Sequence, residues 1–298
     1  MYDIVIIGAG AAGLTSAIYA ERALKKTLVL ESSSYGGQIV NASKIENYPA
    51  APDVSGFEFS NTLYNQAKDL GALVVFEKVM EIKSYDDYKE IITDKNKYKS
   101  KTVIIATGSK NRKLNISNED ELVGKGISYC ATCDGAFYRD KTVAIVGGGN
   151  TALSDALYLS DIAKKVYLIH RRDEFRGEAA ILDEIKNRNN IEIICRSSVV
   201  KLNGIDKLES IELSSKEKIE VDGLFVAIGR VPETKFIENL ISLDEYGYII
   251  ASEDCHTKVP GIFVAGDNRK KEVRQLVTAT SDGAVAAMEA INYINGRW

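Results

Sequence analysis

Three features of the sequence predict an α/β fold in which one parallel-sheet unit is inserted into another. A strand, glycine turn, helix and second strand open the chain over residues 2–31. The same pattern returns at a fixed offset of 139 residues. A last apolar strand, "GIFVAGD" (261–267), and an amphipathic helix, "VRQLVTATSDGAVAAMEAINYI" (273–294), close the chain and complete the first unit.

The opening segment is "YDIVIIGAGAAGLTSAIYA". Its β-branched apolar run is the pattern of a buried parallel strand. Gly8, Gly10 and Gly13 follow as G-x-G-x-x-G, then helix formers, then "KKTLVLE" ending in Glu31. Strand, glycines, helix and acid together form a dinucleotide-binding fingerprint. Gly8 permits the tight turn, Gly10 leaves room for a pyrophosphate, and Gly13 lets helix and strand pack closely. The helix N-terminus faces the phosphates with its partial positive charge. Glu31 is placed to accept hydrogen bonds from ribose hydroxyls.

The second unit reads "KTVAIVGGGNTALSDALYLSDIAKKVYLIHRR" (141–172). Gly147, Gly149 and Ala152 occupy the fingerprint positions, and His170 falls where the first unit has Glu31. At this strand tip the charge is inverted: "HRRDEFR" carries His170, Arg171, Arg172 and Arg176. A carboxylate there would repel a 2′-phosphate, whereas guanidinium groups hold one through charge-assisted hydrogen bonds. The second site is therefore expected to prefer NADPH to NADH. The first lacks such a cluster, which suits FAD, whose adenosine carries no 2′-phosphate.

Further buried strands are expected in "YKSKTVIIATGSKNRKL" (98–114), which contains Thr107-Gly108, and in "GLFVAIGR" (223–230). Asp267 ends the last strand and can reach a ribityl or pyrophosphate group. The expected layout is a discontinuous first domain, 1–113 and 240–298, with residues 114–239 inserted and linkers near 110–116 and 232–240.

Length and composition agree with this. The chain has 298 residues, 45% hydrophobic and 27% charged, enough for roughly two globular domains. The 23 glycines and 4 prolines suit tight strand-to-helix turns. A net charge of −4 gives no basic surplus for nucleic acid or an anionic membrane, so neither is expected as a partner. The apolar stretch 4–20 is interrupted by three glycines, has Asp3 before it and lacks a positive leader, so it reads as strand-turn-helix rather than signal or span. A cytoplasmic location is expected.

"YCATCDGAF" (129–137) holds Cys130 and Cys133, followed at once by Asp134. A C-x-x-C is half a zinc site, a redox-active pair or two inert thiols. Two ligands are too few for zinc, and Cys255-His256 belong to the other domain's sequence, so no metal is expected. Cys195 and Cys255 stand alone and read as small buried residues. Asp134 is a candidate general acid/base for a leaving thiolate; a helix or turn cap is the competing role.

The motifs "GAGAAG", "GGQ", "IENYPA", "ATG", "CATCDG", "GGGNTA", "HRRDEFR" and "FVAGD…RQ" occur in this order. In this the chain resembles, over essentially its whole length, the low-molecular-weight thioredoxin reductases. The resemblance implies two Rossmann-like domains, a homodimer, and electron flow from NADPH through FAD and Cys130/Cys133 to thioredoxin. It implies FAD contacts at Gly8, Gly10, Gly13, Glu31, Gly37, Gln38, Asn47, Thr107, Gly108, Asp267, Arg274 and Gln275. It implies NADPH contacts at Gly149, Asn150, Thr151, His170, Arg171, Arg172 and Arg176. It also places Cys133 nearer the flavin and implies a hinge rotation of the inserted domain. The larger flavoprotein disulfide reductases carry C-x-x-x-x-C just after the first unit; residues 32–60 contain no cysteine, which excludes that layout. Gly177-Glu178, Glu233 and Leu276 depart from the usual pattern, and Glu178 brings negative charge near the expected phosphate site. Rival readings keep the fold but change the acceptor to another redoxin or a peroxiredoxin, or the donor to ferredoxin or reduced flavin. The second fingerprint and its arginines argue against the latter.

Overall fold

The computed structural model describes residues 1–42, 44–51 and 53–297. The chain forms two compact units, one made of Met1–Lys110 with the chain from Val231 onward, the other of Asn111–Arg230.

In the first unit, Tyr2–Ile7 (β1), Ala11–Arg22 (α1) and Thr27–Glu31 (β2) follow the expected order. Then come Gly56–Asp69 (α2), Leu73–Phe76 (β3), the hairpin Val79–Ser84 (β4) and Lys89–Thr93 (β5), and Lys97–Ile105 (β6). The strands lie in the order β3-β2-β1-β6-β5-β4. β1 is parallel to both neighbours, with Ile6 opposite Val29 and Ile104. Ile4 to Ile7 are all buried because helices cover one face and an apolar layer the other. Ile4 and Ile6 meet α1 and the C-terminal helix; Val5 and Ile7 meet Ile82, Ile91 and Ile249. The β4–β5 hairpin is a feature the sequence reading did not single out. α2 starts at a reciprocal cap, Ser55 Oγ accepting from Glu58 N and Glu58 Oε2 accepting from Ser55 N.

Ser109–Asn111 (β7) leads into the second unit. There follow Glu119–Leu122 (α3), Ile127–Ser128 (β8), Ala131–Asp134 (α4), Thr142–Gly147 (β9), Asn150–Ser160 (α5) and Lys165–Ile169 (β10). Ala179–Lys186 (α6), Ile191–Ile194 (β11), Val199–Asn203 (β12), Ser210–Leu213 (β13), Lys218–Glu220 (β14), Gly223–Ala227 (β15) and Arg230–Pro232 (β16) complete the segment. A sheet of order β11-β10-β9-β15-β8 is parallel throughout. β12, β13 and β14 form a separate antiparallel sheet, and β7 pairs with β16. The units divide at 110/111 and 230/231, three and nine residues before the boundaries set from sequence. At the second boundary the reason is packing: Ile237 is buried in the first unit's core and Phe236 packs against it.

The chain then adds Ile262–Val264 (β17) and Leu276–Ile294 (α7) to the first unit. β6 serves two partners on one edge: Lys97–Ser100 pair antiparallel with β5, whereas Val103–Ile105 pair parallel with β17. α7 starts three residues later than the amphipathic pattern suggests, at a cap in which Gln275 N donates to Thr278 Oγ1 at 3.0 Å. Among the described residues no helix is long and apolar enough to cross a membrane.

α7 packs on α1 through small residues. Ser16 Oγ donates to Gly283 O at 2.9 Å, and a Cβ on Gly283 would collide with the carbonyl oxygen of Ala12. Replacing Gly283 by Ala should gain about 1 kcal/mol of helix propensity. Overpacking against fixed backbone costs about 1–3 kcal/mol. The balance is a net loss of up to about 2 kcal/mol, read as a lower urea midpoint; a midpoint above that of the unmodified chain would contradict this packing.

Candidate active site

In the first unit, the fingerprint turn is shaped by steric necessity. Gly8 has φ +105°, and a Cβ there would strike the backbone of Ala106. Gly10 is the N-cap of α1, and the second glycine turn lies against it: Gly36 N donates to Ala9 O at 2.7 Å. A Cβ on Gly37, whose φ is +63°, would come to 3.2 Å from Gly10 Cα, whereas one on Gly10 would make an ordinary contact at 3.9 Å, so the close approach is most demanding on the Gly37 side. Glu31 is oriented before any ligand arrives, its carboxylate accepting from Ala9 N at 2.8 Å and Ser33 N at 3.0 Å.

Two further segments of the first unit bring site candidates together. Asn268, fully buried, donates through Nδ2 to Ile105 O and Thr107 Oγ1, and Thr107 Oγ1 donates on to Glu233 O at 2.8 Å. This chain fixes the Thr107-Gly108 turn, where Gly108 has φ +66° and open space beside it. Asn47 Nδ2 donates to Gln275 Oε1 at 3.2 Å, and the Arg274 guanidinium stands 4.2 Å over the Tyr248 ring. Gln38 is exposed in the short helix Gly37–Asn41, and Asp267 is half-buried after β17. Asn268 Oδ1 and Arg274 Nε are buried with no hydrogen-bond partner among the described residues. A buried acceptor and a buried donor left unmatched cost stability unless a ligand satisfies them. With a glycine cradle at a helix N-terminus, an oriented carboxylate and these two atoms, the residues fit FAD. Asn268 was not singled out from sequence; a polar residue directly after the Gly266-Asp267 pair is its only signal.

In the second unit, Gly149 is the N-cap of α5, and a Cβ there would meet nothing within 4 Å, leaving space for a pyrophosphate. The arginine segment is tied to this turn. Arg176 N donates to Gly148 O at 2.7 Å. Asn150 and Glu178 clasp each other: Asn150 Nδ2 donates to Glu178 Oε1 at 2.9 Å, and Glu178 N donates to Asn150 Oδ1 at 2.8 Å. Glu178 is thus engaged in holding the segment. Arg196 pairs with Asp173, which sets a second acid against a partner of its own.

His170 stands behind the arginines. It is buried, its ring packs on Gly148 and stacks on Phe175, and Nε2 lies 3.1 Å from Glu174 O. Desolvation pushes its pKa down, as do the charges of Arg176 and Arg172, which favours a neutral ring. Arg171, Arg172, Arg176 and Thr151 are exposed, and Arg172, Phe175 and Arg176 line a cleft of about 350 Å³. The residues present fit a 2′-phosphorylated dinucleotide.

The dithiol loop belongs to the same unit. Cys130 and Cys133 are joined as a disulfide across α4, with Cα atoms 5.3 Å apart. Cys133 lies on the exposed side and Cys130 is half-buried. Asp134 starts the next helical turn, yet its side chain makes no cap bond; Ser128 Oγ donates to its Oδ2 at 2.6 Å instead. Burial pushes the Asp134 pKa up, and the Ser128 hydrogen bond partly opposes it. The ionised form is therefore less favoured here than in a freely exposed carboxyl. Of the other cysteines, Cys255 is fully buried, with burial pushing its thiol up to about 12, and Cys195 is half-buried. His256 is engaged with Glu289 at 2.9 Å within the first unit.

Known proteins give the same reading. The pyridine nucleotide-disulphide oxidoreductase family model matches residues 2–283. A thioredoxin reductase of Listeria monocytogenes is 40% identical over 99% of this chain and 94% of its own. A 34.2 kDa protein in the rubredoxin operon of Clostridium pasteurianum is 42% identical over 99% of this chain and 98% of its own. The crystal structure of thioredoxin reductase from Streptococcus pyogenes superposes with a TM-score of 0.95 at 37% identity, covering 99% of both chains. With a family model across nearly its full length and relatives this similar, the chain belongs to the pyridine nucleotide-disulphide oxidoreductase family and, within it, to the thioredoxin reductases.

Proposed function

We propose that the chain reduces the disulfide of thioredoxin at the expense of NADPH, using Cys130 and Cys133 as the last carrier. The observation that carries this reading is the Cys130–Cys133 disulfide, beside a buried carboxyl, on a chain with two dinucleotide fingerprints. Bound FAD supplies the two-electron relay between nicotinamide and disulfide.

The remaining work falls to the chain's own residues. Gly8, Gly10, Gly13, Glu31, Gly37, Gln38, Asn47, Thr107, Gly108, Asp267, Arg274 and Gln275 hold FAD. Gly149, Asn150 and Thr151 receive the pyrophosphate of NADPH at the start of α5, while Arg171, Arg172 and Arg176 bind its 2′-phosphate. His170 braces that segment from beneath. Once the disulfide is reduced, one thiolate of Cys130/Cys133 attacks the thioredoxin disulfide. Asp134 delivers a proton to the departing sulfur, and the second cysteine closes the ring again. The acceptor sits near −270 mV, so the Cys130/Cys133 couple must lie near or below that value. A homodimer in the cytoplasm completes the reading.

The test is an anaerobic titration of the FAD-loaded protein, first with NADPH and separately with NADH, then with oxidised thioredoxin. NADPH should bleach the flavin at much lower concentration than NADH, and thioredoxin should restore the colour. Equal bleaching by both nucleotides would overturn the nucleotide assignment. Failure of thioredoxin to restore colour, with recovery by another redoxin, would overturn the acceptor.

A further inference from the structure

Between β8 and α4 one hydroxyl touches both ends of the dithiol loop. Ser128 is the last residue of β8 and is 3% exposed, its backbone held beside Phe225 of β15. Its Oγ donates to Asp134 Oδ2 at 2.6 Å and accepts from Cys130 N at 3.1 Å; the Cys130 carbonyl oxygen lies 3.3 Å away as a second acceptor. Among the described residues, Ser128 is the hydrogen-bond partner the structure gives the Asp134 side chain.

We propose that Ser128 is a positioning residue for the proton step at Cys130/Cys133: its hydroxyl aims the Asp134 carboxyl in both protonation states. The inference rests on the role proposed for Asp134. When Asp134 is ionised, the Ser128 proton points to Oδ2. When Asp134 carries a proton, that O–H donates to Ser128 Oγ, and the hydroxyl turns its own proton to the Cys130 carbonyl. In both states Oγ still accepts from Cys130 N, so the loop need not move while the proton comes and goes. The second arrangement is the weaker, because its acceptor is farther and already takes Cys133 N at 3.2 Å and Asp134 N at 3.1 Å. Ser128 therefore favours the ionised form and opposes the effect of burial.

Among the other groups at this loop, Thr132 Oγ1 lies 3.5 Å from Cys130 Sγ. Tyr138, on the turn after α4, is the titratable neighbour that feels the Asp134 charge, and burial with Asp134 and Asp222 pushes it up to about 12. α5, packed on the loop, presents Tyr158 and Leu159 at Gly135. Tyr129 points elsewhere, donating to Glu119 Oε1 at 2.7 Å.

The experiment compares the unmodified holoenzyme with S128A, S128T, D134N and the S128A/D134N double variant, following the pH dependence of thioredoxin reduction. Flavin bleaching by NADPH, which uses no carboxyl of this loop, reports that each variant is folded and loaded. The ionisation that disappears in D134N should move up by roughly one pH unit in S128A, the scale of one hydrogen bond to a charged group, and return toward its original position in S128T. In the D134N background S128A should have no further effect. An ionisation in the same place in S128A, or equal losses from S128A with and without Asp134, would overturn the inference. If S128T does not load FAD, the double variant alone decides. If D134N itself leaves thioredoxin reduction and its pH profile intact, the role of Asp134 fails first, a distinct outcome.

Discussion

Replacing Cys133 by Ser should lower thioredoxin reduction by roughly 10³-fold or more, the scale of losing a group the reaction cannot do without. The reason is chemical, because Ser differs from Cys by one atom. A hydroxyl cannot form the S–S bond that stores the electron pair, and an alkoxide is not accessible at neutral pH whereas a thiolate is. Cys130→Ser should be equally severe, since a lone thiol cannot release a mixed disulfide by closing onto its neighbour. Both variants should fold and load FAD, because Cys133 is exposed and Cys130 half-buried, and neither sulfur fills a core position. Flavin bleaching by NADPH should persist in both. Steady-state assay with thioredoxin checks the first expectation and an anaerobic flavin spectrum the second. Substantial thioredoxin turnover in either variant would place the disulfide exchange elsewhere.

The second large effect is expected at the arginine segment. A hydrogen bond to an ionised group is worth about 1.5–3 kcal/mol, and 1.36 kcal/mol is tenfold in an equilibrium constant. Arg172 and Arg176 line one cleft, and both are exposed, so the lower part of that range applies to each. The double replacement by Ala should raise KM for NADPH roughly 10²-fold and change KM for NADH less than about threefold, since NADH has no 2′-phosphate for these arginines to hold. Steady-state kinetics with the two nucleotides check this. Equal losses for both would mean the segment supports the fold or the pyrophosphate rather than the 2′-phosphate. The placement of Glu178 matters here: its carboxylate is held by Asn150 Nδ2 at 2.9 Å, which fixes its position without removing its charge.

What could be read from the sequence follows from how local each constraint is. Gly13 is demanded by the Gly8 carbonyl five residues before it, and Gly8 by its own φ of +105° as well as by Ala106 on the neighbouring strand, so the glycine spacing itself is legible in one dimension. The arginines at the tip of β10 are equally local, because the first unit supplies a template at the same offset. His170 shows the limit of that template. It aligns with Glu31, but unlike that carboxylate its ring is buried against Gly148 and stacked on Phe175. The partners that aim the site were not legible. Asn150 and Glu178 are 28 residues apart and Asn268 and Thr107 are 161 apart, joined only once the sheets form. Ser128 is six residues from Asp134, yet nothing in its neighbourhood shows that β8 ends there with the hydroxyl turned inward. The β12–β14 sheet and the β4–β5 hairpin supply no proposed ligand residue, and their short alternating strands carry weaker signals than the glycine turns.

The central claim is that electrons from NADPH come to rest on Cys130 and Cys133. Anaerobic addition of NADPH to the FAD-loaded protein, followed by alkylation and mass analysis of peptides, tests it most directly. The expected result is two newly modified sulfurs, Cys130 and Cys133, formed with NADPH and absent without it. Full bleaching of the flavin by excess NADPH with both residues still unmodified would contradict it.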